Sequence, residues 1–394
     1  MRKGCMLGQK NILILTSETG GGHISLAEAL RDLLTDAAEA SVSGARALAI
    51  TITDPQPRAI HLHYRLVSRH ALGLWAAEYR MFDTPLRARL AQRAFAPLAR
   101  RQLYALLGAV RPDLIISTYP FFSYALIETL RRHGISAPLA LLLSDASRVH
   151  STWLAERRVA AALAPTHETY QQALAAGFSP NQLHLSGWPV RQQFLCAAQM
   201  SQAERAGILT ALNLDPNRFT VFLQGGGEGA AYVERAIESV RRARGASGGA
   251  QVILAAGSNQ GLLARYGGTR HLAALPFTPN IAPFMAAADV IMGKAGPNTL
   301  LEAVMLGKPF IATTYIPGQE HTNLAFIQKY GLGWVALTAE RLHALLERLM
   351  SGDGALSVMS ATVSAYRQWN LDATARIAPV LDALLTPSAS SRAL

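Results

Sequence analysis

Two glycine-rich loops contain the residues of this sequence best suited to chemistry on a phosphate-containing substrate. The first, GGGH at 20–23, follows the apolar run NILIL and precedes a helical pattern. The second, GGGEG at 225–229, follows TVFLQ and also precedes a helical pattern. Glycines let backbone N–H groups approach a phosphate closely, and the N-terminus of the following helix favours negative charge. Neither loop continues into Gly-Lys-Ser/Thr, so neither is a Walker loop.

His23 is the candidate general base of the first loop. A neutral imidazole accepts a proton near neutral pH, and the N-terminal end of a helix disfavours the protonated form. A lone histidine is more often structural, but the glycines that precede it favour a catalytic role. Asp145, at the end of a predicted strand, is a candidate for orienting the acceptor or the base; the alternative is a helix-cap or turn aspartate.

A polar segment follows the second loop along the chain. GKAGPNTLLEAVMLGKPFIATTYIPGQEHTN, residues 293–323, contains a strand end, a turn, a helix with Glu302, another strand and a second polar turn. In a doubly wound domain these turns meet at the carboxyl edge of the sheet, where ligands bind. The segment therefore predicts a ligand site beside the second glycine loop.

Apolar runs alternate with helical patterns through both halves of the chain. The further strand candidates are 113–118, 138–145, 251–257, 289–293 and 308–313. This order predicts α/β architecture with two Rossmann-like doubly wound domains that face a cleft. The predicted domains are 1–195 and 196–385, with a polar and disordered tail at 386–394.

The formal net charge of +11 is concentrated in the first half of the chain. The segment RMFDTPLRARLAQRAFAPLARR, residues 80–101, places leucines at helical spacing among arginines and has Asp83 as its one acid. It predicts an amphipathic cationic helix or helix pair, suited to a membrane surface; the alternative is a solvated helix with its other face in the core. Nucleic acid is disfavoured, because no binding signature or stacking aromatics accompany the arginines.

Cysteine content and hydropathy limit the cellular setting. The two cysteines, Cys5 and Cys196, match no metal spacing and favour a reducing compartment, the cytoplasm. The first apolar run is too short for a signal peptide, and no stretch is long and apolar enough for a transmembrane helix.

Several motifs together resemble one enzyme family. They are GGGH, LWAAEY at 74–79, PDLIIST at 112–118, SDASRVHSTW at 144–153, GWPVR at 187–191, GGGEG, KAGPNTLLEA at 294–303 and PGQEHTN at 317–323. The set is similar to the monogalactosyldiacylglycerol synthases and processive diacylglycerol glucosyltransferases. That resemblance implies a GT-B fold and an inverting transfer of a hexose, with galactose favoured over glucose, from a UDP-sugar to diacylglycerol.

The resemblance also implies roles for individual residues. His23 is the implied base, and Asp145 is placed on the acceptor side with Gly21 and Gly22. The implied donor-binding residues are Gly225, Gly226, Gly227, Ile281, Lys294, Thr299, Glu302, Gln319, Glu320 and Asn323. The implied membrane contacts are Arg80, Arg87, Arg89 and Arg93, on an anionic surface at the cytoplasmic face. No Asp-x-Asp occurs, so no metal or further cofactor is expected and the UDP-sugar is a co-substrate.

Three alternatives stay open at this point. An N-acetylglucosamine transferase acting on the lipid-linked cell-wall precursor has a related glycine loop. A UDP-sugar 2-epimerase has a related two-domain fold but gives no reason for a basic amphipathic helix. A non-enzymatic nucleotide-binding module on a membrane would leave His23 without a role.

Overall fold

The computed structural model describes residues 9–18, 21–40, 47–57, 60–63, 66–67, 71–225, 230–245 and 248–386. They form two compact units, Met1–Arg191 with Asn370–Leu394, and Gln192–Trp369. Each unit contains one six-stranded sheet whose strands pair in parallel. The predicted doubly wound α/β architecture is therefore confirmed for each unit.

The first unit alternates strands and helices from its first described residues. Its strands are β1 (Lys10–Leu15), β2 (Leu48–Thr53), β3 (Leu114–Ser117), β4 (Leu139–Leu142), β5 (Ala161–Ala164) and β6 (Leu183–Leu185). Its helices are α1 (Gly21–Ala40), α2 (Leu72–Phe82), α3 (Pro85–Val110), α4 (Ser123–His133), α5 (Ser151–Leu154) and α6 (His167–Ala175). The sheet order is β2-β1-β3-β4-β5-β6. The order reverses between β1 and β3, which is where doubly wound sheets open a ligand crevice.

The second unit begins with two short helices and then repeats the pattern. Its strands are β7 (Thr220–Gln224), β8 (Arg244–Gly245), β9 (Gly248–Gly249), β10 (Gln251–Gly257), β11 (Leu272–Pro276), β12 (Val290–Lys294), β13 (Phe310–Thr314) and β14 (Gly333–Val335). Its helices are α7 (Gln192–Ala197), α8 (Gln202–Ala211), α9 (Ala230–Arg242), α10 (Gln260–Tyr266), α11 (Ala282–Ala286), α12 (Pro297–Met305), α13 (His321–Lys329) and α14 (Ala339–Met350). The sheet order β11-β10-β7-β12-β13-β14 reverses between β7 and β12.

The last two helices, α15 (Ala355–Thr374) and α16 (Ile377–Leu385), return the chain to the first unit. The predicted second domain ran to residue 385, whereas residues from Asn370 onwards pack with the first unit. The fully buried Asn370 side chain accepts the Trp188 N–H at 2.7 Å and donates to the Trp188 carbonyl at 2.9 Å. This pairing satisfies buried polar groups, which explains why the chain crosses back there. Of the predicted tail, residues 387–394 lie outside the described residues.

The basic segment forms the predicted helix pair. α2 ends at Phe82 and α3 begins at Pro85, a residue that suits the first helical position because its missing N–H costs no hydrogen bond there. Thr84 caps α3, since its hydroxyl accepts the Arg87 N–H. The helix buries mainly small residues and one amide: Ala88, Ala91, Gln92, Ala96, Leu103 and Leu107. Small side chains let the first half of α3 lie close to its neighbours, and the larger apolar residues of that half face outward.

Candidate active site

His23 lies at the crevice of the first sheet, in the first turn of α1 after β1. The Thr118 hydroxyl, just beyond β3, donates to the His23 carbonyl at 3.1 Å. Ser144, just beyond β4, places its hydroxyl oxygen 3.3 Å from His23 Nδ1. The Tyr119 ring meets the imidazole edge-on at 5.2 Å. Contacts from the ends of β3 and β4 therefore hold the His23 backbone and fix the orientation of its imidazole ring.

The surroundings of His23 keep its imidazole neutral. Burial of the ring lowers the pKa of His23 to about 4, against the opposing effects of a hydrogen bond with the Thr118 backbone and the charge of Asp54. The sequence argument attributed neutrality to the helix N-terminus, whereas the structure identifies burial as the main cause. When Nδ1–H donates to Ser144, Nε2 carries the lone pair that can accept a proton.

Asp54 is a polar residue of this crevice that the sequence analysis did not identify. It follows β2, and its carboxylate accepts the Glu18 N–H at 2.6 Å and the Gln56 N–H at 2.8 Å. His61 Nε2 lies 3.4 Å from the same carboxylate. Asp54 thus holds the start of the first glycine loop and places a negative charge near His23.

Asp145 is partly buried at the end of β4, as predicted, but Ser144 rather than Asp145 contacts the imidazole of His23. Its carboxylate accepts the His150 N–H at 2.9 Å. Burial raises the pKa of Asp145 to about 6; the Asp83 charge acts in the same direction, and the His150 N–H and the Arg148 charge oppose it. This hydrogen bond fits the alternative of a turn aspartate. A direct role of Asp145 with the acceptor stays a prediction.

The two glycines of the first loop that the structure describes, Gly21 and Gly22, are not tightly packed. A Cβ added at Gly21 would meet nothing within 4 Å, so no neighbouring atom requires glycine there. Gly22 is partly exposed beside it. The position of Gly21 therefore borders open space, two residues before His23.

The second unit places its candidate residues at the crevice between β7 and β12. Gly225 directly follows β7 and donates its N–H to the Ala255 carbonyl at 3.1 Å. A Cβ at Gly225 would lie 2.9 Å from the Leu254 side chain, so only glycine fits without a shift. Gly226 and Gly227 lie outside the described residues. Lys294 ends β12 on the other side of the crevice.

Lys294 and Glu320 form a close ion pair. Lys294 Nζ lies 2.5 Å from Glu320 Oε1, and the second carboxylate oxygen accepts the Ile316 N–H at 2.8 Å. The Glu320 side chain is 4% exposed and that of Lys294 is 25% exposed. A buried carboxylate with a cationic partner and a backbone donor is satisfied, and it fixes the lysine at the crevice.

The helix after β12 positions the remaining donor-side candidates. Thr299 is partly exposed in the first turn of α12, and Glu302 is buried one turn later. The buried position excludes the alternative of an ordinary surface glutamate. Asn323 of α13 donates to the Ala295 carbonyl at 2.9 Å and ties the two helix starts together. Gln319, next to Glu320, stays partly exposed.

Gln193 of α7 holds the loop that contains Ile281. Its amide nitrogen donates to the Pro279 carbonyl at 2.9 Å, and its amide oxygen accepts the Ala282 N–H at 3.1 Å. Ile281 is the partly exposed residue before α11, with its backbone held between these two bonds. The sequence analysis did not identify Gln193, although it is the second residue after the GWPVR motif.

The outer face of α3 is strongly apolar and basic. Leu86, Leu90 and Leu98 are 68%, 54% and 59% exposed, and the arginines interspersed with them are exposed too. Among the residues that the structure describes between 62 and 104, nine large apolar side chains are exposed by more than a third: Leu62, Leu66, Leu74, Met81, Leu86, Leu90, Phe95, Leu98 and Tyr104. Concentrations of exposed apolar side chains are typical of interaction surfaces. Arg80, Arg87, Arg89 and Arg93 all lie exposed on the same helix pair.

The part of the chain that the structure describes was searched for metal sites and for membrane-spanning helices. No group of three or more His, Cys, Asp or Glu residues is arranged to hold a metal ion there. No helix in the same part is both long and apolar enough to cross a bilayer.

The residues missed by sequence reasoning share one property. Asp54 and Thr118 directly follow β2 and β3, Ser144 is the second residue after β4, and strand ends of a parallel sheet meet at one edge. Their positions just after strands were the available signal, and Ser144 lies within the motif SDASRVHSTW.

Comparison with known proteins gives two family matches and a set of similar relatives. The family described as Monogalactosyldiacylglycerol (MGDG) synthase matches residues 23–190, and the Glycosyltransferase family 28 C-terminal domain matches residues 220–367. A probable monogalactosyldiacylglycerol synthase 2 from rice (Oryza sativa subsp. japonica) is 30% identical over 336 residues, which cover 82% of this chain and 70% of that protein. Monogalactosyldiacylglycerol synthase 3 of Arabidopsis thaliana is 27% identical over 340 residues, with the same coverage of both chains.

Solved structures share the fold at low sequence identity. The calicheamicin glycosyltransferase CalG4 is 14% identical with a TM-score of 0.63, covering 97% of this chain and 99% of that chain. Anabaena HepE in complex with UDP and glucose is 14% identical with a TM-score of 0.57, covering 95% and 100%. Acinetobacter baumannii MurG is 14% identical with a TM-score of 0.56, covering 95% and 99%. The fold is thus that of the GT-B glycosyltransferases.

Proposed function

This chain belongs to the monogalactosyldiacylglycerol synthase family, and from that premise we propose that it transfers a hexose from a UDP-sugar to diacylglycerol. The observation that carries the proposal is His23, a neutral imidazole held by Ser144 at the crevice of a doubly wound sheet. Galactose is the favoured sugar, with glucose as the alternative. The product is a β-glycosyldiacylglycerol formed at a membrane surface.

The proposed reaction is a single displacement. The acceptor hydroxyl of diacylglycerol gives its proton to His23 Nε2 while its oxygen bonds to the anomeric carbon of the donor. The bond between that carbon and the UDP oxygen breaks, and UDP leaves with the electron pair. Attack opposite to the leaving group inverts an α-linked donor into a β-linked product.

The second unit supplies the donor contacts in this proposal. The backbone at Gly225, Gly226 and Gly227 approaches the diphosphate, and Lys294 balances the charge that gathers on the departing UDP. Glu302 accepts hydrogen bonds from the ribose hydroxyls, since a carboxylate offers acceptors only. The backbone near Ile281 binds the uracil ring of the UDP-sugar. HepE is named as binding UDP and glucose, which supports the assignment of the donor class.

The remaining donor-side residues act on the sugar and the phosphates. Thr299 is the further phosphate contact, at the start of α12. Gln319 and Glu320 read the sugar hydroxyls, with Asn323 assisting them. Because Glu320 already binds Lys294, its role includes holding that lysine in place.

We assign the acceptor side to a lipid surface. Exposed leucines enter the interface while arginines of α3 meet anionic headgroups, with each cation near the surface contributing about 1 kcal/mol. The rice and Arabidopsis relatives are named for diacylglycerol, which supports this acceptor class. Attachment at the cytoplasmic face stays a prediction.

Product analysis tests the function directly. The purified protein is incubated with dioleoylglycerol in phosphatidylglycerol vesicles and either UDP-galactose or UDP-glucose, and the lipid extract is analysed by mass spectrometry and NMR. We expect a monohexosyldiacylglycerol with a β-anomeric proton. Free epimerised sugar nucleotide without glycolipid, or transfer only to a polyprenyl diphosphate acceptor, contradicts the proposal.

A further inference from the structure

The junction between α2 and α3 contains a buried carboxylate. Asp83 separates the two helices whose outer faces expose apolar side chains, yet its own side chain is 5% exposed. One carboxylate oxygen accepts both the backbone N–H and the hydroxyl of Ser151 at 3.0 Å. Arg148 lies 2.6 Å from the other oxygen. Arg148 lies in the loop after β4 and Ser151 is the first residue of α5, so Asp83 binds the helix pair to the segment that leads from β4 into α5.

The same loop is held a second time through His150. Its ring packs against that of Tyr79 of α2, with the centroids 4.3 Å apart and the planes tilted by 53°, and Nε2 donates to the Tyr79 carbonyl at 3.0 Å. Nδ1 lies 2.7 Å from the Thr152 hydroxyl, so both ring nitrogens have hydrogen-bond partners. Gln92 of α3 adds two bonds, to the carbonyls of Pro120 and Thr152.

The other end of this loop reaches the proposed base. The His150 N–H donates to the Asp145 carboxylate, and the neighbouring Ser144 lies against His23 Nδ1. A continuous series of short polar contacts therefore runs from the junction of α2 and α3, through residues 144–151, to His23. Such a series transmits the position of one end to the other because each buried donor and acceptor has a fixed partner.

We infer that Asp83 is a positioning residue: through Ser151 and Arg148 it makes the 144–151 loop a rigid extension of the lipid-facing helix pair. The position and orientation of α2 and α3 on a bilayer then determine where Ser144 and His23 lie relative to a diacylglycerol molecule in that bilayer. The inference rests on the proposed function. It adds a coupling between membrane attachment and the acceptor side, which neither the family membership nor the proposed role of His23 contains.

The coupling predicts a selective defect. A variant with a weakened Asp83–Ser151 contact still folds, binds vesicles and binds the donor, but it places the base poorly against a membrane-held acceptor. A monomeric acceptor that diffuses to the site does not need this alignment. The ratio of the rate on vesicle-presented dioleoylglycerol to the rate on monomeric dihexanoylglycerol is therefore the informative quantity.

The experiment compares Ser151→Ala with the matched control Ser151→Thr, which keeps a hydroxyl donor, and adds Asp83→Asn. Rates on both acceptors, the KM for the UDP-sugar, vesicle sedimentation and the melting temperature are measured for each. We expect Ser151→Ala to lower the vesicle-to-monomer rate ratio by roughly three- to tenfold, and Asp83→Asn by tenfold or more, as for lost hydrogen bonds to a charged group. Ser151→Thr should stay within twofold of the unmodified protein.

Several results separate the possible failures. An unchanged ratio in Ser151→Ala and Asp83→Asn overturns the coupling, as does an equal fall on both acceptors, which is the result of a purely structural role. A fall explained by lost sedimentation also overturns it. If the unmodified protein makes no glycolipid from either acceptor, the proposed function itself has failed.

Discussion

The exposed leucines of α3 give a quantitative prediction for membrane attachment. Leu86, Leu90 and Leu98 are each more than half exposed. Full burial of a leucine side chain is worth about 1.5–3 kcal/mol, so inserting the exposed remainder is worth roughly 1–2 kcal/mol per residue. Replacing all three leucines by serine should therefore weaken partition into phosphatidylglycerol vesicles by about 3–6 kcal/mol, or roughly 10²- to 10⁴-fold.

The assay is sedimentation with sucrose-loaded vesicles over a range of lipid concentrations. The three side chains are solvent-exposed, so the free energy of unfolding should change by only about 0.5 kcal/mol per residue, and a thermal melt checks this. Serine replacement at the exposed Val358 of the second unit is the matched control and should leave partition unchanged. A triple variant that partitions like the unmodified protein would refute the assignment of this face to lipid.

Charge reversal on α3 tests the electrostatic contribution to membrane binding separately from the contribution of the leucines. Replacing Arg87, Arg89 and Arg93 by glutamate should abolish sedimentation with anionic vesicles, since each arginine contributes about 1 kcal/mol and the reversed charge repels the surface. Binding to anionic vesicles at the unmodified level would exclude these arginines as the contact. Raising the salt concentration should likewise weaken the binding of the unmodified protein to anionic vesicles, because salt screens the attraction.

Two further predictions concern the charged groups of the two crevices. Asp54→Asn removes an anion that raises the pKa of His23, so the acid limb of the kcat/KM profile should move to lower pH; an unmoved limb, or one moved to higher pH, contradicts the assignment. Glu320→Ala breaks a buried ion pair with Lys294 and should cost about 3–5 kcal/mol of stability, whereas Gln319→Ala should raise the KM for the UDP-sugar with an unchanged melting temperature. An unchanged melting temperature in Glu320→Ala would show that this carboxylate does not hold the lysine.

Much of the fold could be predicted from the sequence because its buried strands are apolar and bounded by turns. The predicted strand at 251–257 coincides with β10, and those at 113–118 and 308–313 overlap β3 and β13. The strand β5 has the sequence AALA, which is short and equally compatible with a helix, so its pattern gave no strand signal. The return of the chain at Asn370 depends on tertiary pairing with Trp188, which no local pattern contains.

Site residues that lie within a sequence motif could be predicted. Site residues that are brought together only by the order of the strands could not. His23, Lys294 and Glu302 lie in recognisable motifs, and the structure brings each to a crevice or its adjoining helix. Asp54 comes from a separate loop, and only the sheet order brings it near the first glycine loop. The spacing of α3 indicated an amphipathic helix, but it did not indicate that, in the first half of the helix, alanines would pack inward and leucines outward.

The role of His23 as the base is the central claim, and one comparison tests it most directly. Transfer of labelled galactose from UDP-galactose into chloroform-soluble lipid is measured for the unmodified protein and for His23→Ala, with UDP affinity determined in parallel. The account predicts unchanged UDP affinity and a loss of about 10²- to 10⁴-fold in kcat, the usual contribution of a general base. A His23→Ala variant that forms glycolipid at the unmodified rate would contradict the account.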